Sequence, residues 1–349
     1  LEHGGVVNRI DWMWHQYAFD SSDVILQKTT FTFDVSVWEL FMPLCWGAKM
    51  VLCHKDDIAA PDRILDLIDN YEVSCLHFVP SMLNEFVASV PPQRMSSLRV
   101  VFTSGEALTA EIVKKWYKKF EAPIHNLYGP TEASVDVTYY PTSGTEESIP
   151  IGRPIWNTQM FVLDNFMQIV PIGVAGEIYI GGIGLARGYL NKAELTAERF
   201  VTSPWHPDER IYRTGDIGKW LPNGNISFMG RKDDQIKIRG FRVELGEIEN
   251  CLRGHAAVNA CVVISKTEYS GDNILVAYLV SSEPLNTVEL RAYVSSKLPL
   301  YMVPDQFVLL EHFPLTSSGK VDRNRLRTEL GGNKTDSGSK FVAPRNATE

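Results

Sequence analysis

No run of about 18 consecutive apolar residues occurs in this 349-residue chain, which argues against a membrane-spanning helix. Basic charge is scarce too: 34 lysines and arginines face 42 acids, a formal net charge of −8. A nucleic-acid partner would need a concentrated basic face. The densest basic segment, "GRKDDQIKIRGFR" (230–242), is interleaved with acids and reads as a local feature. Cysteine is sparse and odd in number: Cys45, Cys53, Cys75, Cys251 and Cys261, with no C-x-x-C pair. That pattern excludes a disulfide framework and a cysteine-based zinc site, and predicts buried free thiols in a reducing, cytoplasmic setting. No signal-peptide pattern opens the sequence. What remains, 44% hydrophobic and 22% charged residues, suits a globular protein of two or three domains.

Three textures follow one another along the chain. From about 60 to 128, helix-like and strand-like segments alternate: "APDRILDLIDNY", "VSCLHFV", "SMLNEFVASV" opened by Ser81, "LRVVFTSG", "LTAEIVKKWYKKF" opened by Thr109, and "IHNLYG". Such alternation predicts an α/β unit with a mostly parallel sheet covered on both faces. Ligands in such sheets bind beyond the carboxyl ends of strands, where "FTSGEA" and "LYGPTEAS" lie. From about 141 to 230, glycine and proline punctuate short strands, predicting a small, twisted, mainly antiparallel unit. A compact α+β pattern follows "GRKDDQIKIRG", and residues 331–349 have the composition of a linker.

"PLTSSGKVDR" (314–323) carries Ser-Gly-Lys, but a Walker loop needs glycine five residues before Gly319 and Ser or Thr after the lysine. Pro314 and Val321 stand there, so Lys320 is not a P-loop lysine. "GGIGLARGY" (181–189) follows no βαβ start and is not a dinucleotide fingerprint. In "NLYGPTEASVD" (126–136), Gly129-Pro130 turns the chain so that Thr131 and Glu132 present a hydroxyl and a carboxylate at the sheet edge. Tyr128 offers a flat face to a base, and Glu132 could hold Mg²⁺ beside phosphates. "TGD" predicts a tight turn delivering Asp216, whose carboxylate can accept both hydroxyls of a ribose. Taken singly, each also reads as an ordinary turn.

Together the motifs are far more specific. "FDVSVWELF", "NLYGPTEAS", "GEIYIGGIGLARGYL", "YRTGDIGKW", "GRKDDQIKIRGFRVELGEIE", "LPLYMVP" and "PLTSSGKVDR" occur in one order at sensible spacings. The sequence resembles the adenylation domains of nonribosomal peptide synthetases, within the adenylate-forming ligases, from residue 1 to about 330. The resemblance implies a large core (1–232) with parallel sheets and a small barrel-like β unit, truncated at its N-terminus. It also implies a small mobile α+β subdomain (233–330) with a hinge at Asp233, and a linker (331–349) towards a carrier domain. Family members join a carboxylic acid to AMP using Mg-ATP, then pass the acyl group to a carrier-protein phosphopantetheine thiol.

On matching positions, the resemblance implies that Asn126 and Tyr128 contact adenine, Thr131 the α-phosphate, Glu132 the Mg²⁺ and Asp216 the ribose. Gly105, Glu106, Ala107 and Gly129 complete the nucleotide site, with Phe228 beside the adenine and Arg231 next to the hinge. Lys320 becomes the mobile lysine that reaches the substrate carboxylate and α-phosphate. Asp34 takes the α-ammonium of an amino acid, a group that fatty and aryl acids lack. The remaining lining maps to Val35, Trp38, His77, Phe102, Ser104, Leu127, Val135 and Asp136. Trp38 and Phe102 leave room for a short side chain, and His77, Ser104 and Asp136 offer it hydrogen bonds. The set resembles that of serine-activating domains, with 2,3-diaminopropionate or threonine as the alternatives. A small MbtH-like helper protein is a further implied partner in some members.

The family's phosphate-gripping loop precedes a segment like "LEHGGVVN" and is absent here, so the chain alone is expected to be an incomplete enzyme. A carrier serine motif, a condensation His-His motif and a thioesterase Gly-x-Ser-x-Gly elbow are absent as well. Two readings compete with the leading one: an acyl- or aryl-CoA ligase, and a non-catalytic module.

Overall fold

The computed structural model describes residues 1–58, 60–91, 95–232, 236–238, 240–267, 273–281, 285–314 and 321–329. The chain divides into two compact units, Leu1–Asp233 and Asp234–Glu349. In the first unit, β1 (Val24–Gln27), β2 (Lys49–Leu52), β3 (Cys75–Phe78), β4 (Val100–Thr103), β5 (Ile124–Tyr128), β6 (Thr138–Pro141) and β7 (Arg153–Pro154) form one sheet. Its order is β2-β1-β3-β4-β5-β6-β7. The first five strands pair in parallel, and β6 and β7 add on antiparallel.

Side-chain alternation along these strands divides the core in two. Cys75, Val100, Phe102 and Leu127 face one side, where they pack with α1 (His3–Gln16) and α2 (Ser36–Trp46). Leu76, Phe78, Val101 and Ile124 face the other. There they meet α3 (Pro61–Asn70), α4 (Pro80–Ser89) and α5 (Ala110–Tyr117). Thr109 caps α5 as expected, accepting the Ile112 N–H at 3.3 Å. The start of α4 differs from expectation. Pro80 occupies its first turn, where a missing N–H costs nothing, and Val79 precedes it. The Ser81 N–H instead donates to Glu106 at 2.9 Å, tying the helix start to the exit loop of β4.

The glycine-rich segment forms β8 (Thr158–Leu163), β9 (Gly176–Gly182), β10 (Phe200–Thr202), β11 (Arg210–Trp220) and β12 (Ile226–Arg231), with α6 (Ala193–Arg199) between β9 and β10. The sheet is antiparallel throughout. Asp216 does not sit at a tight turn. It lies inside the eleven-residue β11, where the register slips around Gly215 at φ +77°. A bulge of this kind re-aims a side chain without ending the strand.

The second unit holds the hairpin β13 (Ile236–Ile238) and β14 (Phe241–Val243), then α7 (Leu245–Arg253), β15 (Ala260–Thr267), β16 (Asn273–Val280), α8 (Thr287–Ser295), β17 (Gln306–Leu309) and α9 (Arg323–Glu329). The sheet order is β15-β16-β17. Val263, Leu275 and Phe307 pack under α7 and α8, while Ile264 and Tyr278 pack with Leu326 of α9. Buried Glu249 joins the layers, accepting from the Val263 N–H at 2.9 Å and from Arg323 at 2.8 Å. The cysteines are free, but only Cys75 and Cys261 are buried and Cys45 is exposed. Burial pushes the Cys261 thiol up to about 12.

Gly152 tests the seam between the two sheets of the first unit, where it bridges to Ile226 at φ +91°. A Cβ there would lie 1.8 Å from the Tyr139 carbonyl oxygen. Gly152→Ala is expected to destabilise the fold by roughly 2 kcal/mol or more. An unchanged urea midpoint would contradict that tight approach.

Candidate active site

The exit loop of β5 forms the centre of the site. After Gly129-Pro130 the chain makes one 3₁₀ turn, Thr131–Ala133, then passes through left-handed backbone at Ser134 (φ 65°) and Val135 (φ 80°). A β-branched residue in that region is a strained outlier. The loop folds back so closely that a Cβ on Gly129 would sit 2.4 Å from the Val135 oxygen and 2.5 Å from Asp136 Cα. Outside contacts hold the strain in place. Ser134 Oγ donates to the Gly184 carbonyl at 2.7 Å, and the Ala186 N–H donates to the Glu132 carbonyl at 2.8 Å. Thus "GGIGLARGY", which is no dinucleotide loop, clamps the site.

Thr131 Oγ1 donates to Asp34 Oδ2 at 2.5 Å, joining the loop to the turn that opens α2. Glu132 is buried, and Tyr189 Oη donates to its Oε1 at 2.6 Å. Burial, then the carboxylate, raises the Tyr189 phenol well above its ordinary range. Asp216 accepts from Tyr128 Oη and from Arg231 Nη1, both at 2.5 Å. The Phe228 ring lies 6.5 Å from that of Tyr128. The Asn126 amide donates to the Pro150 carbonyl at 2.9 Å, while its buried Oδ1 has no partner among the described residues. Tyr128, Asp216, Arg231 and Phe228 therefore form one group, and Asp34 with Thr131 another. Gly105 turns with φ +89°, Glu106 is engaged by Ser81, and Ala107 is exposed.

Val35, Trp38, Phe102, Leu127 and Val135 all belong to the core beneath α1 and α2, with Trp38 edge-on to Phe102 at 5.7 Å. Beside them His77 Nε2 and Ser104 Oγ lie 2.9 Å apart, both buried. Burial, reinforced by the Lys28 and Arg9 cations, drives His77 well below 6.5, so its ring is neutral. Asp136 holds a partner that sequence reasoning missed: Arg9 of α1 reaches its Oδ2 with Nη2 at 2.6 Å and Nε at 3.2 Å. The side chains are 1% and 2% exposed, a fully enclosed ion pair. The signal was present in the helical spacing Gly5, Arg9, Trp12/Met13, which puts an arginine on the buried stripe. Lys320 and Asp233 lie outside the described residues.

Among the described residues no cluster of three or more His, Cys, Asp or Glu side chains could hold a metal. Glu132 alone suits Mg²⁺, which takes one or two carboxylates and completes its shell with phosphates and water.

The fold is that of the adenylate-forming ligases. It matches the Vibrio cholerae adenylation domain AlmE, solved with glycyl-adenosine-5'-phosphate, at TM-score 0.84 and 26% identity over 95% of this chain and 63% of that one. Residues 1–190 match the AMP-binding enzyme family and residues 247–320 the AMP-binding enzyme C-terminal domain, so the chain belongs to the AMP-binding enzymes. Vanchrobactin synthetase VabF of Vibrio anguillarum is 47% identical, covering 93% of this chain and 12% of that protein. Enterobactin synthase component F of Escherichia coli (strain K12) is 44% identical, covering 97% and 28%. The chain thus spans a minor part of each synthetase.

Two histidines of the sheet give the site a pH signature. His125, like His77, is lowered by burial, from 6.5 to about 4. The unfolded chain therefore binds more protons between about pH 4 and 6.5, and the stability these histidines contribute is full above 6.5 and lost as pH falls. Urea midpoints should drop between pH 7.5 and 5, and less steeply in His125→Gln. Parallel slopes for the variant and the parent would contradict this.

Proposed function

We propose that this chain is the adenylation domain of a nonribosomal peptide synthetase that activates L-serine and hands it to a carrier domain. One observation carries the reading: Asp34 and Thr131, the expected ammonium and α-phosphate contacts, meet at 2.5 Å. An α-amino acid bound at that junction brings its carboxylate to the α-phosphorus of ATP. A carboxylate oxygen attacks that phosphorus, the bond to the bridging oxygen breaks, and pyrophosphate leaves. The carrier's phosphopantetheine thiol then attacks the acyl carbon, losing its proton, and AMP departs.

The nucleotide half supports the same reading. The unpartnered Asn126 Oδ1 is an acceptor suited to the exocyclic amine of adenine. Asp216 beside Tyr128 would accept ribose hydroxyls. Glu132 would hold Mg²⁺, which neutralises phosphate charge as it develops. Lys320 would bring an ammonium to the acyl and α-phosphate oxygens, and rotation about Asp233 would withdraw it for the thiol step. Activation of an aminoacyl group is the chemistry of the glycyl adenylate bound by AlmE.

Serine is favoured because the paired His77 and Ser104, with Asp136, would end a pocket that the packed rings of Trp38 and Phe102 would narrow. A site built around a hydroxyl rejects alanine by roughly 10⁴, because its own polar groups are then left unpaired. Threonine meets only the crowding of one methyl, about 1–3 kcal/mol. Asp34 disfavours a fatty or aryl acid, which brings no ammonium.

The test is amino-acid-dependent ATP–pyrophosphate exchange by the full-length protein carrying this chain. Serine should lead threonine, with alanine far behind, and preference for a large apolar amino acid or a benzoic acid would refute the proposal. Lys320→Ala should slow exchange by about 10²–10³. Full exchange in that variant would remove Lys320 from the chemistry.

A further inference from the structure

The Arg9–Asp136 pair carries an inference that deepens, and rests on, the serine reading. Four buried polar atoms on this side of the sheet have no hydrogen-bond partner among the described residues: Arg9 Nη1, Tyr17 Oη, Trp38 Nε1 and His125 Nδ1. Their rings touch. Phe102 lies 5.7 Å from Trp38, 4.6 Å from Tyr17 and 5.9 Å from His125. The Arg9 guanidinium lies over the Trp12 ring at 5.1 Å, Trp12 lies 5.7 Å from Tyr17, and His77 pairs with Phe102 between β3 and β4. The ion pair therefore lies on the same buried side of the sheet as His77 and Phe102.

We infer that Arg9 is a positioning residue that sets side-chain specificity through Asp136. Alone, a buried carboxylate would recruit an ammonium, and the pocket would suit 2,3-diaminopropionate. Paired at 2.6 Å with a guanidinium that is always protonated, it presents a neutral floor. Arg9 Nη1 remains as an unused donor in that floor. A hydroxyl can donate to the carboxylate and accept from a guanidinium N–H, whereas an ammonium has three donors and no acceptor. The adjacent cation repels it as well. His77, neutral and within hydrogen-bond reach of Ser104, adds no countercharge for an ammonium.

The experiment measures binding of seryl-, alanyl- and 2,3-diaminopropionyl-sulfamoyl adenosine, non-hydrolysable aminoacyl-adenylate mimics, by calorimetry on the full-length protein. The parent should prefer the seryl mimic to both others. In Arg9→Met the seryl-to-diaminopropionyl ratio should fall by about tenfold or more, the scale on which close buried charges couple. Arg9→Lys, which keeps the charge, should retain most of the ratio. A merely structural arginine would weaken all three ligands together and leave the ratio unmoved, which overturns the inference while leaving the serine reading intact. A parent that does not prefer seryl to alanyl sinks the serine reading, and this inference with it. Should Arg9→Met fail to fold, Arg9→Met/Asp136→Asn leaves neither charge buried alone. Its seryl preference over alanyl should then collapse with no gain in diaminopropionyl binding; an unchanged seryl preference or a diaminopropionyl gain overturns the inference.

Discussion

The return of the β5 exit loop upon itself, with the Gly129 backbone packed against that of Val135 and Asp136, is the constraint on which the site depends. No side chain fits at Gly129, and no relaxed β-branched residue adopts the backbone of Val135. This one bend sets Thr131 against Asp34, Glu132 against Tyr189 and Asp136 against Arg9. Strain of about 1–3 kcal/mol per such residue persists only where surroundings over-determine it. Here α1, the loop after β9 and the turn before α2 all press on the same few residues. A Cβ on Gly5 of α1, for example, would lie 2.4 Å from Ser134 Oγ.

The two faces of the parallel sheet are used differently. The face under α3, α4 and α5 carries a large apolar cluster, with buried Thr103 and Asn126 alternating onto it and Lys28 over Phe78. The face under α1 and α2 mixes rings with buried polar groups, several lacking partners among the described residues. Buried unpaired polar atoms are costly and uncommon, and they concentrate at working sites. This asymmetry accords with a ligand pocket built into a core layer, where side-chain volume and hydrogen-bond capacity act together as the selector.

Much of this is legible in the order of the residues. Glycine in "YGPTEAS", the α/β alternation and the ordered motifs point to the fold class, the family and the residues Asp34, Thr131 and Asp216. Three points are not legible there. The bulge that carries Asp216 inside β11 reads as a tight turn, since Thr-Gly-Asp has the composition of either. The tie between the start of α4 and Glu106, in which the Ser81 N–H donates to a carboxylate 25 residues further on, has no local signature. The spacing of α1 puts Arg9 on its buried stripe, but nothing local names its partner, since Asp136 lies 127 residues away.

By itself, then, the sequence determined which side chains are available and which local turns they favour, because backbone sterics and hydrophobic periodicity act between near neighbours. Tertiary structure alone decided the pairing of Arg9 with Asp136, 127 residues apart, and of Tyr128 with Asp216, 88 residues apart. Ion pairs and hydrogen bonds depend on distance in space, and for such residues only the packing of helix on sheet, and of sheet on sheet, supplies that distance.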